Sequence, residues 1–238
     1  MDTRSRLKGV LDNFPWIIEL VFSLPYFRGE SKDPETDEGI FESFCYSTYM
    51  QAPYTFWSIY DLYEKGYYLE AIVLYRHLLE SFIQMRYFYK YPEKILVHIV
   101  AKSRKDRVPF SDMFNEFSDD IYKTFYGIIL SGIAHGGIIK DIFRVDRTSK
   151  AEIRTILGCE YIENHATLIT NITVPLLFGY INMFEEFFPN NIVKNDENIS
   201  ELILKAKEWL EFSMDSQKRS NPNSIDFLER LSKYIYLS

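Results

Sequence analysis

Arg76 and Glu80 stand four residues apart in the stretch AIVLYRHLLESFIQMRYFYKY (71–91), and Gln84 follows one turn later. On a helix that spacing puts a guanidinium and a carboxylate on the same face, where they can pair. Their neighbours are Ile72, Val73, Leu74, Leu78, Leu79, Phe82 and Ile83, so neither charge reaches water easily. A lone buried charge is expensive, and a buried pair needs further hydrogen bonds to satisfy it. Two uses fit: a structural pair that fixes helix register, or a partly open polar site in which Arg76 stabilises anionic charge.

A second apolar stretch, IYKTFYGIILSGIAHGGII (121–139), carries Ser131 and His135 at the same spacing. Ser131 can bond one imidazole nitrogen and leave the other for proton transfer near neutral pH. Ser131 is the weaker candidate for a covalent nucleophile, because no acid in the local sequence orients His135. If the two polar faces meet, Arg76, Glu80, Ser131 and His135 form one candidate site, with Glu80 or Arg76 behind the imidazole. Gly132 and Gly136, poor helix formers, point either to a second backbone packed closely against this stretch or to a loop or helix break at Ser131–Gly137.

Basic residues flank the histidine stretch on both sides. Lys102, Arg104, Lys105 and Arg107 precede it, and Lys140, Arg144, Arg147, Lys150 and Arg154 follow. Such runs ordinarily form a solvated face; Lys102, Arg104, Arg144 and Arg147 are also candidates for nucleic-acid contact. The formal net charge of -7 argues against a uniformly basic surface. His98 and His165 lie in apolar stretches and read as hydrogen-bonded structural histidines. Cys45 and Cys159 have no metal-ligand spacing and read as buried thiols in a reducing compartment. No nucleotide loop, zinc motif or nucleophile elbow occurs, so no cofactor or metal is implied.

The elements that must position these residues are helical. Apolar residues make up 47% of the chain, and 18 Tyr, 19 Phe and 3 Trp supply bulk for helix contacts. Periodicity predicts helices over 5–22 (kinked or divided at Pro15), 40–64 and 68–89, with Gly66 as a left-handed stop between the last two. Asp33-Pro34 reads as the cap of the second helix. Further helices are expected over 93–102, 112–117 and 121–139. Ser149–Glu152 reads as a capping box closed by Gly158, and 160–188 as a long helix kinked near Pro175. The helices 199–214 and 224–236 follow, separated by SQKRSNPN. No strand alternation, repeat or low-complexity tract stands out.

The expectation is an all-α, antiparallel bundle of four or five long helices with additional C-terminal helices. It is read as a single helical domain over 1–238, with a core over about 38–188 and peripheral helices over about 197–236. The helix 68–89 is expected to pack against 121–139. No signal-peptide pattern and no uninterrupted apolar span are apparent, which predicts a cytoplasmic protein without a membrane span.

LYRHLLESFIQMRYFYKY resembles the Arg-x-x-x-Glu helix of a broad group of uncharacterised all-helical bacterial proteins, and ILSGIAHGG resembles their downstream Ser-x-x-x-His segment. The likeness covers roughly 38–188. Some members of that group are distantly similar to HEPN domains, many of which are RNases or parts of toxin and phage-defence systems. The RNase members carry Arg-polar-x-x-x-His on one helix. His135 matches the histidine, but the arginine position falls at Ile129 or Leu130, so that motif is absent here. The resemblance implies a helical bundle more strongly than a reaction. It leaves two functions: a non-catalytic interaction or sensing protein with a polar cleft, acting through a protein partner or homo-oligomer in stress or phage defence, or a metal-independent RNase. In the RNase, His135 would handle protons and Arg76 would stabilise phosphate charge, with RNA as substrate.

Overall fold

A computed structural model describes residues 9, 11–116, 126, 145–146, 154–155 and 163–220. Within them the chain is all-α, built on helices α1 (Phe14–Ser23), α2 (Asp37–Glu64), α3 (Tyr68–Lys90), α4 (Lys94–Val100), α5 (Phe110–Asn115), α6 (Glu163–Phe187) and α7 (Glu197–Ser220). Short 3-10 turns occur at Leu24–Phe27, Arg104–Asp106 and Val193–Asn195.

Each boundary has a local cause. Pro15 sits in the first turn of α1, where its missing N–H costs nothing, so it starts this helix rather than kinking one; residues 9 and 11 are helical before the turn at Asp12 and Asn13. The α2 cap is Thr36, whose hydroxyl accepts from the Gly39 N–H at 3.1 Å. The expected Asp33 cap is thereby corrected. Asp33 instead closes the preceding turn, its carboxylate accepting from the Glu35 N–H at 3.0 Å. Gly66, at φ 76°, ends α2 in the left-handed conformation that a side chain would disfavour. The chain turns there, and α3 runs back antiparallel to α2 along most of its length.

Helix α6 lies against α1, α2 and α3, and α7 packs on α6 and α1. The α6 segment His165–Phe187 is long and apolar enough to cross a membrane, but 83% of that window is buried inside the protein, as in a core helix. Tyr180 on α6 is the centre of the core. Its ring meets Phe56 and Tyr49 of α2 and Phe82 of α3 at centroid distances of 5.5, 5.6 and 5.6 Å. Its hydroxyl donates to the Leu78 carbonyl at 3.1 Å, and its own carbonyl accepts from Tyr49 at 3.0 Å. Aromatic bulk thus fills the space between three helices, and the buried hydroxyls of Tyr49 and Tyr180 each find a carbonyl.

Other expectations are corrected in detail. Helix α1 and the turn after it belong to the core, with Ile17, Ile18, Val21 and Leu24 fully buried, although they precede the expected core boundary. Helix α7 continues through Ser220, so SQKR is helical rather than linker. It buries one face, Ile203, Ala206, Leu210 and Met214, as a helix on the outside of a bundle does. Arg154–Thr155 pairs antiparallel with Val145–Asp146, where the capping-box pattern had predicted helix. β-Branched residues at 153, 155 and 156 favour extended backbone there over a local capping signal. The predicted helix 121–139, apart from Tyr126, lies outside the described residues, as does 224–236.

Candidate functional site

Helix α3 brings Arg76 and Glu80 into direct contact, Nε to Oε1 at 2.8 Å. The same guanidinium donates from Nη2 to the Tyr126 hydroxyl at 3.0 Å. That hydroxyl in turn donates to Glu80 Oε1, closing a three-membered ring of hydrogen bonds. The Arg76 and Glu80 side chains are 17% and 24% exposed, so the pair lies beneath the surface without being sealed from water. Phe110 and Phe114 of α5 pack on the Tyr126 ring and hold it over the pair.

The electrostatics keep this ring in one protonation state. Burial first, and then the hydrogen bond and charge of Glu80, push the Tyr126 phenol well above its ordinary range, while Arg76 pulls it the other way. The phenol therefore stays a donor rather than a base. Burial works against the Arg76 charge, but hydrogen bonds and charge from Glu80 and Tyr126 outweigh it and raise its pKa. A cation, an anion and a neutral phenol are mutually satisfied, which suits a strut between α3 and Tyr126.

The other oxygen of Glu80 faces His77, whose Nδ1 is 3.9 Å away. That distance is too long for a hydrogen bond but close enough for charge attraction if the imidazole is protonated. His77 lines an open cleft of about 300 Å³ between α2 and α3, together with Thr48, Gln51, Thr55 and Ser81, over Leu78 and Tyr180. Hydroxyl, amide and imidazole groups thus line a groove whose histidine touches the edge of the Arg76–Glu80 network.

A second ionic contact lies lower on α3. Arg86, 9% exposed, approaches Glu186 of α6 at 3.6 Å and tips toward the Phe82 ring. Sequence reasoning missed Arg86, and it missed Tyr126 and His77. Tyr126 is 50 residues from Arg76, beyond any helix spacing, and one of 18 tyrosines. His77 had a usable signal, three residues before Glu80 on the same helix.

Of the predicted site residues, Arg76 and Glu80 meet, while Ser131 and His135 lie outside the described residues. Lys102 is exposed just after α4, and Arg104 opens the 3-10 turn Arg104–Asp106. Arg144 and Arg147 lie outside the described residues. His98 packs its ring on Phe88 at 5.1 Å, and its buried Nδ1 has no hydrogen-bond partner among the described residues, which corrects the expectation for that atom. His165 is buried against Tyr68. Cys45 is fully buried, and burial, then the charge of Glu42, push its thiol up and keep it unreactive. Cys159 lies outside the described residues. Among the described residues no three His, Cys, Asp or Glu gather closely enough to hold a metal ion. No protein-family model, curated protein or solved structure matches the chain.

Proposed function

We propose that this protein is a non-catalytic helical interaction or sensing protein that works through the polar cleft between α2 and α3. The observation that carries the reading is the occupation of Arg76. Its Nε and Nη2 groups are both committed, to Glu80 and to Tyr126. An arginine that stabilises transferring phosphate needs donors aimed at the substrate, and these two are aimed inward. The adjoining cleft offers neutral hydrogen-bonding groups and one exposed imidazole, a surface suited to recognition. The sequence resemblance to uncharacterised all-helical bacterial proteins, some of them distantly HEPN-like, makes stress or phage defence the setting to examine.

The decisive experiment is an RNA-cleavage assay on the purified full chain beside Arg76→Ala and His135→Ala, each with its unfolding curve. The expected result is intact RNA with all three proteins, and a lowered unfolding midpoint for Arg76→Ala. Cleavage by the wild type that disappears in a folded His135→Ala variant would replace this reading with the RNase. The setting has its own test: cells expressing the chain and challenged with phage. Plaque numbers equal to those on empty-vector cells would remove defence.

A further inference from the structure

Helix α4, KILVHIV, is aliphatic at every position but Lys94 and His98, yet only one side of it is covered. Ile95 is fully buried and His98, one turn on, packs against Phe88; these two anchor the helix. Leu96, Val97 and Val100 share the opposite side and are 43%, 55% and 67% exposed. An aliphatic helix face belongs in a core or against a nonaqueous phase, and the outward face of α4 is in neither. Directly after it come three exposed cations, Lys102, Lys105 and Arg107. The carboxylates close to them in sequence are Glu93 just before α4, Asp106, which already accepts from the Ser103 hydroxyl at 2.8 Å, and Asp112, which accepts from the Ser111 hydroxyl at 3.2 Å. At the base of the helix, Lys94 lies over the half-buried Tyr91 ring at 4.2 Å and bonds the Tyr87 hydroxyl.

We propose that α4 and the cationic segment behind it dock this protein onto an anionic lipid surface, with Leu96, Val97 and Val100 entering the headgroup–acyl boundary. Lys102, Lys105 and Arg107 then meet the lipid phosphates. Charge complementarity selects the occupant: on a chain of net charge -7, a local group of cations beside an aliphatic face needs a partner both anionic and apolar. RNA would satisfy the cations but leave the aliphatic face in water, since it offers no aromatic ring for bases to stack on. A protein interface would cover the aliphatic face, but such interfaces are depleted in lysine. This docking uses none of the Arg76, Glu80 or cleft residues and stands apart from the function proposed above.

The test is sedimentation of the full chain with vesicles of phosphatidylcholine alone and of equal parts phosphatidylcholine and phosphatidylglycerol. Binding to the anionic vesicles only, weakened by salt, is expected. Removing a cation, as in Lys102→Ala or Lys105→Ala, should weaken binding about fivefold each. Val97→Asp with Val100→Asp should weaken it about tenfold or more, with unfolding unchanged because both side chains are exposed. Absence of vesicle binding would overturn the proposal. So would equal binding to both vesicle types, or polyuridylate binding that needs the lysines but ignores the valine changes. Self-association of the wild type that the valine changes abolish, without vesicle binding, would assign the face to a second copy instead.

Discussion

The Arg76 guanidinium and the Glu80 carboxylate meet one helical turn apart at 2.8 Å, and the Tyr126 hydroxyl touches both. Removing Glu80 takes the paired carboxylate from a cation that lies beneath the surface. A fully buried orphan charge would cost about 3–5 kcal/mol, and the remaining exposure brings Glu80→Ala down to about 1–3 kcal/mol. Replacing both partners, Arg76→Met with Glu80→Met, should cost less than the two single changes added together, because no charge is stranded. Urea unfolding of the four proteins measures this. Strict additivity would mean that the pair is not coupled.

Tyr180 is the second point where a single hydroxyl joins helices. Its donation to the Leu78 carbonyl is made in a fully buried site, where water cannot substitute. Tyr180→Phe keeps the ring against Phe56, Phe82 and Tyr49 and removes only that bond. The expected loss is about 1 kcal/mol, read as a lower urea midpoint with an unchanged slope. A changed slope would show that the substitution had loosened the native packing as well.

What could be read from the chain was what depends on short spacing. The Arg76–Glu80 contact follows from a four-residue step, and the α2–α3 hairpin follows from Gly66, which needs no distant partner. Tyr126 closes the same ring from 50 residues away, and Tyr180 bonds Leu78 across 102, distances at which periodicity carries no information. Nothing local separates Tyr180 from the other tyrosines; its role arises because three helices converge on it. The helix read from the capping pattern at Ser149–Glu152 does not include Arg154–Thr155, because a local capping preference is weak. Pairing with Val145–Asp146 overrides it at Arg154–Thr155.

His98 should give the protein an acid-sensitive element. Burial, and secondarily the positive charge of Arg107, lower its pKa in the folded state. The unfolded chain then binds more protons than the folded one as the pH falls through about 6.5, so stability declines on acidification. Above that pH both states hold a neutral imidazole and the term vanishes. His98→Gln should therefore show a smaller fall in melting temperature between pH 7.5 and 5.5 than the wild type, in buffers of equal ionic strength. An equal fall in both would mean that other groups carry the acid sensitivity.

Gly39→Ala should destabilise the protein, against the rule for helices. Gly39 lies in the first turn of α2, where propensity alone favours alanine by about 1 kcal/mol. A Cβ built there would lie 1.8 Å from the Asp33 carbonyl oxygen, well inside any real contact. That oxygen cannot easily move, because it accepts from both the Thr36 N–H at 3.1 Å and the Thr36 hydroxyl at 2.8 Å. The same hydroxyl accepts from the Gly39 N–H, so pushing Asp33 aside pulls the cap away from the helix it closes. Overpacking and a weakened cap together should cost about 1–3 kcal/mol. Thr36→Ala should cost about 1 kcal/mol by itself and make a following Gly39→Ala less harmful, since the turn would then be freer to yield. Thermal unfolding of the two single variants and the double variant decides it. A higher melting temperature for Gly39→Ala alone would show that helix propensity, not the close approach of Asp33, governs this position.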